Sequence, residues 1–450
     1  MNLIDKVKMA GVVGAGGAGF PTHVKLDCKV ECFIANGAEC EPLLKTDQYL
    51  MREKSMELIQ GMEIIARQIG AKQVYLAVKK KYVREIEKLK YAIAKLDSKV
   101  ELFYLDNFFP AGDEQVLVYE VTGKTVSPGG IPLHQGVVVS NVGTIVNVVE
   151  AMEGKPVTEK YISVLGEVRN PKLLLVPLGT SVSVCIEEAG GATMKEYCII
   201  MGGPMMGKLI DMEEAEEIVI TKTDGAIILV PKDHYIVNRG RTPITHIINQ
   251  TKSACIQCRY CTDMCPRFLI GHPLRPHKIM GAIAVHGQDM TVLKEALICC
   301  DCGVCELYAC PMGLSPRLVN GYLKEKLREK GIVFEYNGKQ LKAEELREYR
   351  SIPTNRLIPR LDLVRYANQK IDDLAIVSAK KVRIPLKQHI GVASQPLVAV
   401  GDYVKKGQLI GAIPDGKLGA NIHASIEGKI TGVTDMVVIE REYSGVNGND

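Results

Sequence analysis

The sequence predicts a multidomain α/β protein with a helical, cysteine-bearing module and an all-β module at its C-terminal end. Three observations carry this. Apolar runs of strand length alternate with stretches of helical period up to about residue 150, the mark of an α/β layer. Cysteines recur at three-residue spacing in two runs between Cys255 and Cys310. From Ile384 onward the pattern changes to short strands punctuated by glycine turns. These shifts divide the chain into 1–155, 156–224, 225–337, a charged connector at 338–375, and 376–450.

Composition narrows the function classes. A chain of 450 residues, 46% of them hydrophobic, can build several cores. Its net charge of +4 makes no case for a nucleic-acid partner. No apolar run reaches membrane-spanning length, and Met1–Lys6 lacks the charged-then-apolar plan of a signal peptide. Eight of the fourteen cysteines lie in the two runs, which fits a reducing compartment and a cytoplasmic protein, at most peripheral to a membrane.

Residues 2–10 read as a short helix. Gly14, Gly16 and Gly19 then formally match G-x-G-x-x-G, but no strand precedes them as a Rossmann fingerprint requires. Five glycines between Gly11 and Gly19, Gly17 among them, exceed what a turn needs, and their N–H groups can form an anion nest. Lys25 stands near enough to neutralise a phosphate. Val30–Ala35 reads as a buried strand ending in the acidic loop Asn36-Gly37-Ala38-Glu39-Cys40-Glu41-Pro42, where α/β proteins place ligand contacts. Helical period over 46–70, a strand at 73–79, a charged helix at 80–96 and a strand at 100–105 complete the layer.

These loops carry a resemblance. Gly14–Lys25 with Asn36–Pro42, then Gly112-Asp113-Glu114 and Ser140–Asn147, resemble in order and spacing the flavin site of the NADH-oxidising, FMN-bearing subunit of respiratory complex I. The resemblance implies that Gly14, Gly16, Gly17, Gly19 and Lys25 surround FMN. It implies that Asn36, Glu39, Asn141, Thr144 and Asn147 line the flavin, and that Phe20, Glu41 and Glu114 face NADH. This chain has Ala15 where that family has arginine, Gly143 and Asp113 where it has glutamate, Ala38 where it has an acid, and Cys28 where it has an aromatic.

From Tyr161 the pattern V-x-G-E-V-x-N-P, then V-P-x-G-T and E-A-G-G, resembles the SLBB module, a β-grasp-like fold. A fold of this kind does not fix a function, and its expected role is to span flavin and cluster domains.

The two runs read Cys255-x2-Cys258-x2-Cys261-x3-Cys265-Pro266 and Cys299-x2-Cys302-x2-Cys305-x4-Cys310-Pro311. Such spacing lets a short loop wrap three corners of a cubane while the fourth cysteine serves the other cluster. Cys255, Cys258, Cys261 and Cys310 are therefore assigned to one [4Fe–4S] cluster, and Cys299, Cys302, Cys305 and Cys265 to a second. Zinc ribbons lack triplets closed by Cys-Pro, and disulfides need an oxidising compartment. The x4 spacer departs from the usual x3. Cys300 reads as a spare buried thiol, His272, His277 and His286 as packing or surface residues, and 316–330 as a basic amphipathic helix with a solvated face.

Val398–Gly411 and Ile422–Ile430 resemble a lipoyl/biotinyl-type barrel-sandwich hybrid, expected to dock or pack; Lys417 lacks the flanks of a carrier lysine. The whole set resembles the family of cobalamin reductases from propanediol-utilisation microcompartments, and the RnfC-like components of Rnf electron-transport complexes. That likeness implies a flavin–iron–sulfur oxidoreductase passing electrons from NADH through FMN and two [4Fe–4S] clusters to cob(II)alamin. The alternatives are delivery to other redox proteins and a non-catalytic relay.

Overall fold

The computed structural model describes residues 1–285, 289–371 and 373–442; His286 and Gly287 lie outside the described residues. The first layer is a four-stranded parallel sheet in the order Glu101–Leu105, Gln73–Lys79, Cys32–Gly37, Val137–Asn141. Phe33, Ile34 and Ala35 are fully buried, as expected of a strand covered on both faces. The helix Leu3–Met9 starts where the Asn2 side chain accepts a hydrogen bond from the Asp5 N–H at 2.8 Å. The chain steps outward from Cys32–Gly37 to its two neighbours on one side, then returns to the other side at Val137–Asn141. That reversal leaves a crevice at the carboxyl ends of Cys32–Gly37 and Val137–Asn141, and Asn36 and Asn141 face each other there in register.

The second layer is a six-stranded sheet in the order Leu374–Ile376, Lys172–Pro177, Glu159–Gly166, Ala226–Pro231, Tyr197–Met201, Lys208–Asp211. It overruns the expected limit of residue 224 twice. Ala226–Pro231, a fully buried strand but for its proline end, pairs parallel with Glu159–Gly166, and Leu374–Ile376 arrives from the connector to pair with Lys172–Pro177. The connector is also more than a tether. Ile352–Pro353 pairs with Phe108–Phe109, and Arg347 binds Glu120 while its guanidinium lies 4.5 Å from the Tyr119 ring. Its charged surface residues hide a short strand and a buried stripe that strap it to the first layer.

A helical module holds the cysteines, with Ile247, Leu274, Ile279, Val319 and Leu323 at its centre. The helix Pro316–Glu329 buries Pro316, Val319, Asn320, Leu323 and Leu327, so the face expected to be solvated is matched by an inward stripe. The C-terminal module pairs a four-stranded with a three-stranded antiparallel sheet around Val382, Ile384, Ile410 and Ile439. Lys417 is exposed, at the end of a turn where its N–H bonds the Pro414 carbonyl.

One buried ammonium joins three of these parts. Lys222 Nζ donates to the carbonyl oxygens of Gly11 (2.7 Å) and Asn421 (2.8 Å). Gly11 has φ +66°, and a Cβ there would stand 2.2 Å from the Asn421 oxygen, so only glycine permits the approach. Burial pushes the Lys222 amine down to about 7; a neutral amine still has two hydrogens for two carbonyls. The unfolded lysine, with its ordinary value of 10.5, holds more protons than the folded one between those values, so the Lys222 contribution to stability rises with pH there. Comparing wild type with Lys222→Met by denaturant unfolding, the difference should move in favour of wild type from pH 7 to pH 10, by at most about 1.4 kcal/mol per pH unit. A difference independent of pH would contradict the burial.

Candidate functional site

A cavity of about 550 Å³ opens at the crevice of the first sheet. Gly16, Gly17, Glu39, Glu41, Asn141 and Asn147 line it, so six of the residues expected at the flavin or its nucleotide meet in one space. Thr144 supports it from behind, its hydroxyl accepting from the Ala15 N–H at 2.8 Å. Gly14 closes the glycine loop by donating to the Phe20 carbonyl at 2.9 Å, and Gly19 is packed against Thr223 and the backbone of Gln388 and His389. Asn36 works between loops: its amide donates to the Gly112 carbonyl at 3.0 Å and accepts from the Ala38 N–H at 3.1 Å.

Besides Gly14, Gly19, Asn36 and Thr144, three more expected residues lie outside the cavity wall. Lys25 and Glu114 pair with each other at 2.8 Å, and Phe20 is part-exposed at the surface. Asp113, in the Gly-Asp-Glu segment, caps the helix Glu114–Thr122 and binds the buried Arg267 guanidinium at 2.8 Å. The cavity instead recruits residues that no spacing announced. Lys160, from the second sheet, donates to the Ala15 carbonyl at 2.6 Å, and Asp47 accepts from the Asn141 amide at 2.8 Å. Tyr161, Thr223 and Gly225 complete the wall, so the β-grasp-like layer is part of the site as well as a span.

The cavity wall carries three lysines, Lys155, Lys160 and Lys406, and five carboxyls, Glu39, Glu41, Asp47, Glu150 and Glu159. Burial pushes Lys160 down to about 8, against the pull of Asp224, Asp47 and Glu39. Burial lifts Asp47 to about 6, opposed by the Asn141 hydrogen bond and Lys160. Burial, then the charges of Asp47 and Glu41, hold Glu39 well above the usual carboxylate range. Glu41 is raised to about 7 by burial, against the N–H groups of Met205 and Met206. Lys160, Asp47 and Glu41 can change charge near neutrality, as groups at functional sites commonly do. Glycine N–H groups and Lys160 suit an anionic phosphate; the carboxyls and Asn147 suit the polar edge of a heteroaromatic ring. The residues present therefore fit FMN.

From Glu41 a chain of contacts leads to the cysteines. Glu41 Oε2 accepts from the Met205 N–H at 2.9 Å, and the Met205 carbonyl accepts from Arg317 Nη1 at 2.7 Å. Arg317 lines a cavity with Cys265, Cys299, Cys300, Cys302 and Cys305. Cys255, Cys258, Cys261 and Cys310 line a second, with His277, Met280 and Met312. The first is the inner set, against the flavin layer. The second is the outer set: Cys255 and Cys258 are half-buried, as Cys299 of the inner set is, but Ile256, Tyr260 and Met312 beside them are 62%, 47% and 42% exposed.

The two loops share one backbone plan. Gln257 and Arg259 have φ of 52° and 71°; Asp301 and Gly303, at the same places in the other run, have 56° and 79°. Three of these four are not glycine, at about 1–2 kcal/mol each, strain that folded proteins keep where a site demands it. The extra residue before Cys310 is absorbed by a π-helix over Val304–Ala309, whose wider turn takes five residues where an α-turn takes four. Among the described residues no three His, Cys, Asp or Glu side chains close on a point that a single ion could occupy. Each set rings a space, which suits a cubane better than zinc. Burial lifts Cys261 and Cys299 to about 12, so a bound cluster's positive irons would be needed to hold them as thiolates. Cys300, expected to be buried, is half-buried in the inner cavity wall. Asn320, 1% exposed, also lines the inner cavity with neither amide atom partnered, at a cost of about 1–3 kcal/mol if it stayed so.

Four domain families match the chain: the Nuo51 FMN-binding domain over residues 7–150, the SLBB domain over 161–209, a 4Fe-4S dicluster domain over 254–315 and the RnfC barrel sandwich hybrid domain over 366–446. The cobalamin reductase PduS of Salmonella typhimurium is 40% identical over 436 residues, 96% of this chain and 95% of that protein. That of Citrobacter freundii is 40% identical over 437 residues, with the same shares. A component of the Na(+)-translocating ferredoxin:NAD(+) oxidoreductase complex of Acetobacterium woodii is 34% identical over 263 residues, 57% of this chain and 56% of that one. Among solved structures, an NAD+-reducing [NiFe]-hydrogenase in its H2-reduced state aligns with TM-score 0.50 and 20% identity over 74% of this chain and 63% of its own, a likeness of fold.

Two outcomes are expected. Lys160→Ala should weaken FMN binding to apoprotein about tenfold or more, the loss of one charge-assisted contact, as read by fluorescence titration. Cys300→Ala should keep about eight irons after anaerobic reconstitution, whereas Cys299→Ala should fall to about four; the reverse result would exchange the two residues as ligands.

Proposed function

Because the chain belongs to the family of the PduS cobalamin reductases, we propose that it oxidises NADH and reduces cob(II)alamin. It is an FMN- and iron–sulfur-dependent oxidoreductase. Bound FMN supplies the change from two-electron to one-electron chemistry, and the [4Fe–4S] clusters supply single-electron carriage. The chain supplies position. Gly16, Gly17 and Lys160 hold the phosphate end of the cavity, while Asp47, Glu39 and Asn141 anchor its polar wall. Glu41 and Met205 bring that wall against the inner cysteine set. The observation that carries this reading is the contact chain Glu41–Met205–Arg317, which joins the flavin cavity to the inner thiols.

The outer set is the exit. Its half-buried Cys255 and Cys258, ringed by exposed Ile256, Tyr260 and Met312, open to the surface. An acceptor can meet it without entering the protein. The same openness suits a second reading, delivery to another redox protein, as the name of the Acetobacterium relative implies for that complex. Among the described residues no helix is long and apolar enough to cross a membrane. The location that fits this reading is a bacterial microcompartment, beside a corrinoid-dependent enzyme.

Mixed anaerobically with NADH, the reconstituted protein should bleach its flavin absorbance and then consume cob(II)alamin. Cys258→Ser should keep the bleaching and lose the cobalamin step. Bleaching without cobalamin reduction in wild type would favour a protein acceptor; no bleaching would leave only a relay. Ile256→Glu with Tyr260→Glu should slow acceptor reduction several-fold and leave the bleaching rate unchanged, measured by stopped flow.

A further inference from the structure

The helix Pro316–Glu329 presents Pro316, Val319, Leu323 and Leu327 to the interior at helical spacing. Asn320 stands within that stripe, where the pattern asks for an aliphatic side chain. Both its amide atoms are buried without a protein partner, and the residue lines the cavity ringed by Cys265, Cys299, Cys302 and Cys305. None of the buried unpartnered groups among the described residues lines the outer cavity. The other polar side chain at the inner cavity, Arg317, is already engaged, with Nε on Glu306 at 3.1 Å and Nη1 on the Met205 carbonyl. A primary amide in an apolar stripe is stable only if something in the cavity accepts its hydrogens.

We propose that Asn320 donates a hydrogen bond through Nδ2 to the sulfur of the inner cluster, a ligating thiolate or an inorganic sulfide, and so raises the reduction potential of that cluster alone. This rests on the two-cluster reading above. The reasoning is electrostatic. Reduction adds negative charge to a cluster; a dry cavity resists it, and a donor aimed at sulfur offsets that resistance. Whichever way the amide is turned, only its NH2 end has hydrogens to offer. At the outer set a side-chain donor is already in place, the Gln257 amide donating to Cys255 Sγ at 3.2 Å. Asn320 is thus a positioning and tuning residue, outside the electron path itself, that keeps the buried cluster reducible from the flavin side.

The test compares anaerobically reconstituted wild type, Asn320→Thr and Asn320→Val by iron content and by redox titration followed by EPR. Thr and Val are equal in shape and differ by one donor. The expected result is that one cluster of Asn320→Val titrates at lower potential than in wild type, that Asn320→Thr lies closer to wild type, and that the other cluster stays where it was. Unmoved potentials in Asn320→Val, or equal shifts in both variants, would overturn the proposal. Should either variant lose iron, wild type carrying 15N in its asparagine side chains decides: pulsed EPR should show a side-chain 15N coupling to one reduced cluster, and its absence would refute the hydrogen bond. A wild type holding no iron would instead defeat the two-cluster reading on which this rests.

Discussion

Two lysines of the β-grasp-like layer hold the glycine loop by its carbonyls. Lys222 takes the oxygen of Gly11 and Lys160 that of Ala15, so one ammonium sits on each side of the loop's entry. The loop itself has little to stabilise a single shape, because glycines lose the most conformational freedom on ordering. Clamped at both points, it turns Gly16 and Gly17 toward the cavity. The flavin site is therefore a product of docking between two layers. Neither layer alone contains both a cradle and the cations that fix it.

Much of this was legible in the residues. Strand ends, the acidic loop after Cys32–Gly37 and the two cysteine runs declare themselves by local spacing, because their chemistry is done by neighbours in sequence. What stayed hidden depends on partners far apart. Lys160 and Ala15 are 145 positions distant, and Lys222 and Gly11 are 211; a lysine bound to a backbone oxygen looks like any surface lysine until the fold is known. The connector hid for a different reason. Its charged residues dominate its composition, whereas its strands, Ile352–Pro353 and Leu374–Ile376, are only two and three residues long. The x4 spacer looked like a misfit because cysteine spacing is read in loop or α-turn units. A π-turn has room for one more residue, and Val304–Ala309 uses it.

The two cysteine loops are near copies in backbone and unlike in surroundings. Both hold left-handed residues at matching places, so each can wrap three corners of the same inorganic body. One is walled by Arg317 and Asn320; the other by Gln257, His277, Met280 and Met312. Duplicate geometry with different polarity around it gives two carriers of one type that need not share an energy level, which is what a directional chain requires.

The meeting at Gly11 also sets an order of events in the cell. The second carbonyl that Lys222 holds, beside that of Gly11, comes from Asn421, late in the polypeptide. While the ribosome is still extending the chain, the glycine loop, made early, has no finished seat. A protein shortened before Asn421 by a premature stop codon would leave translation with that loop intact and only part of its anchor.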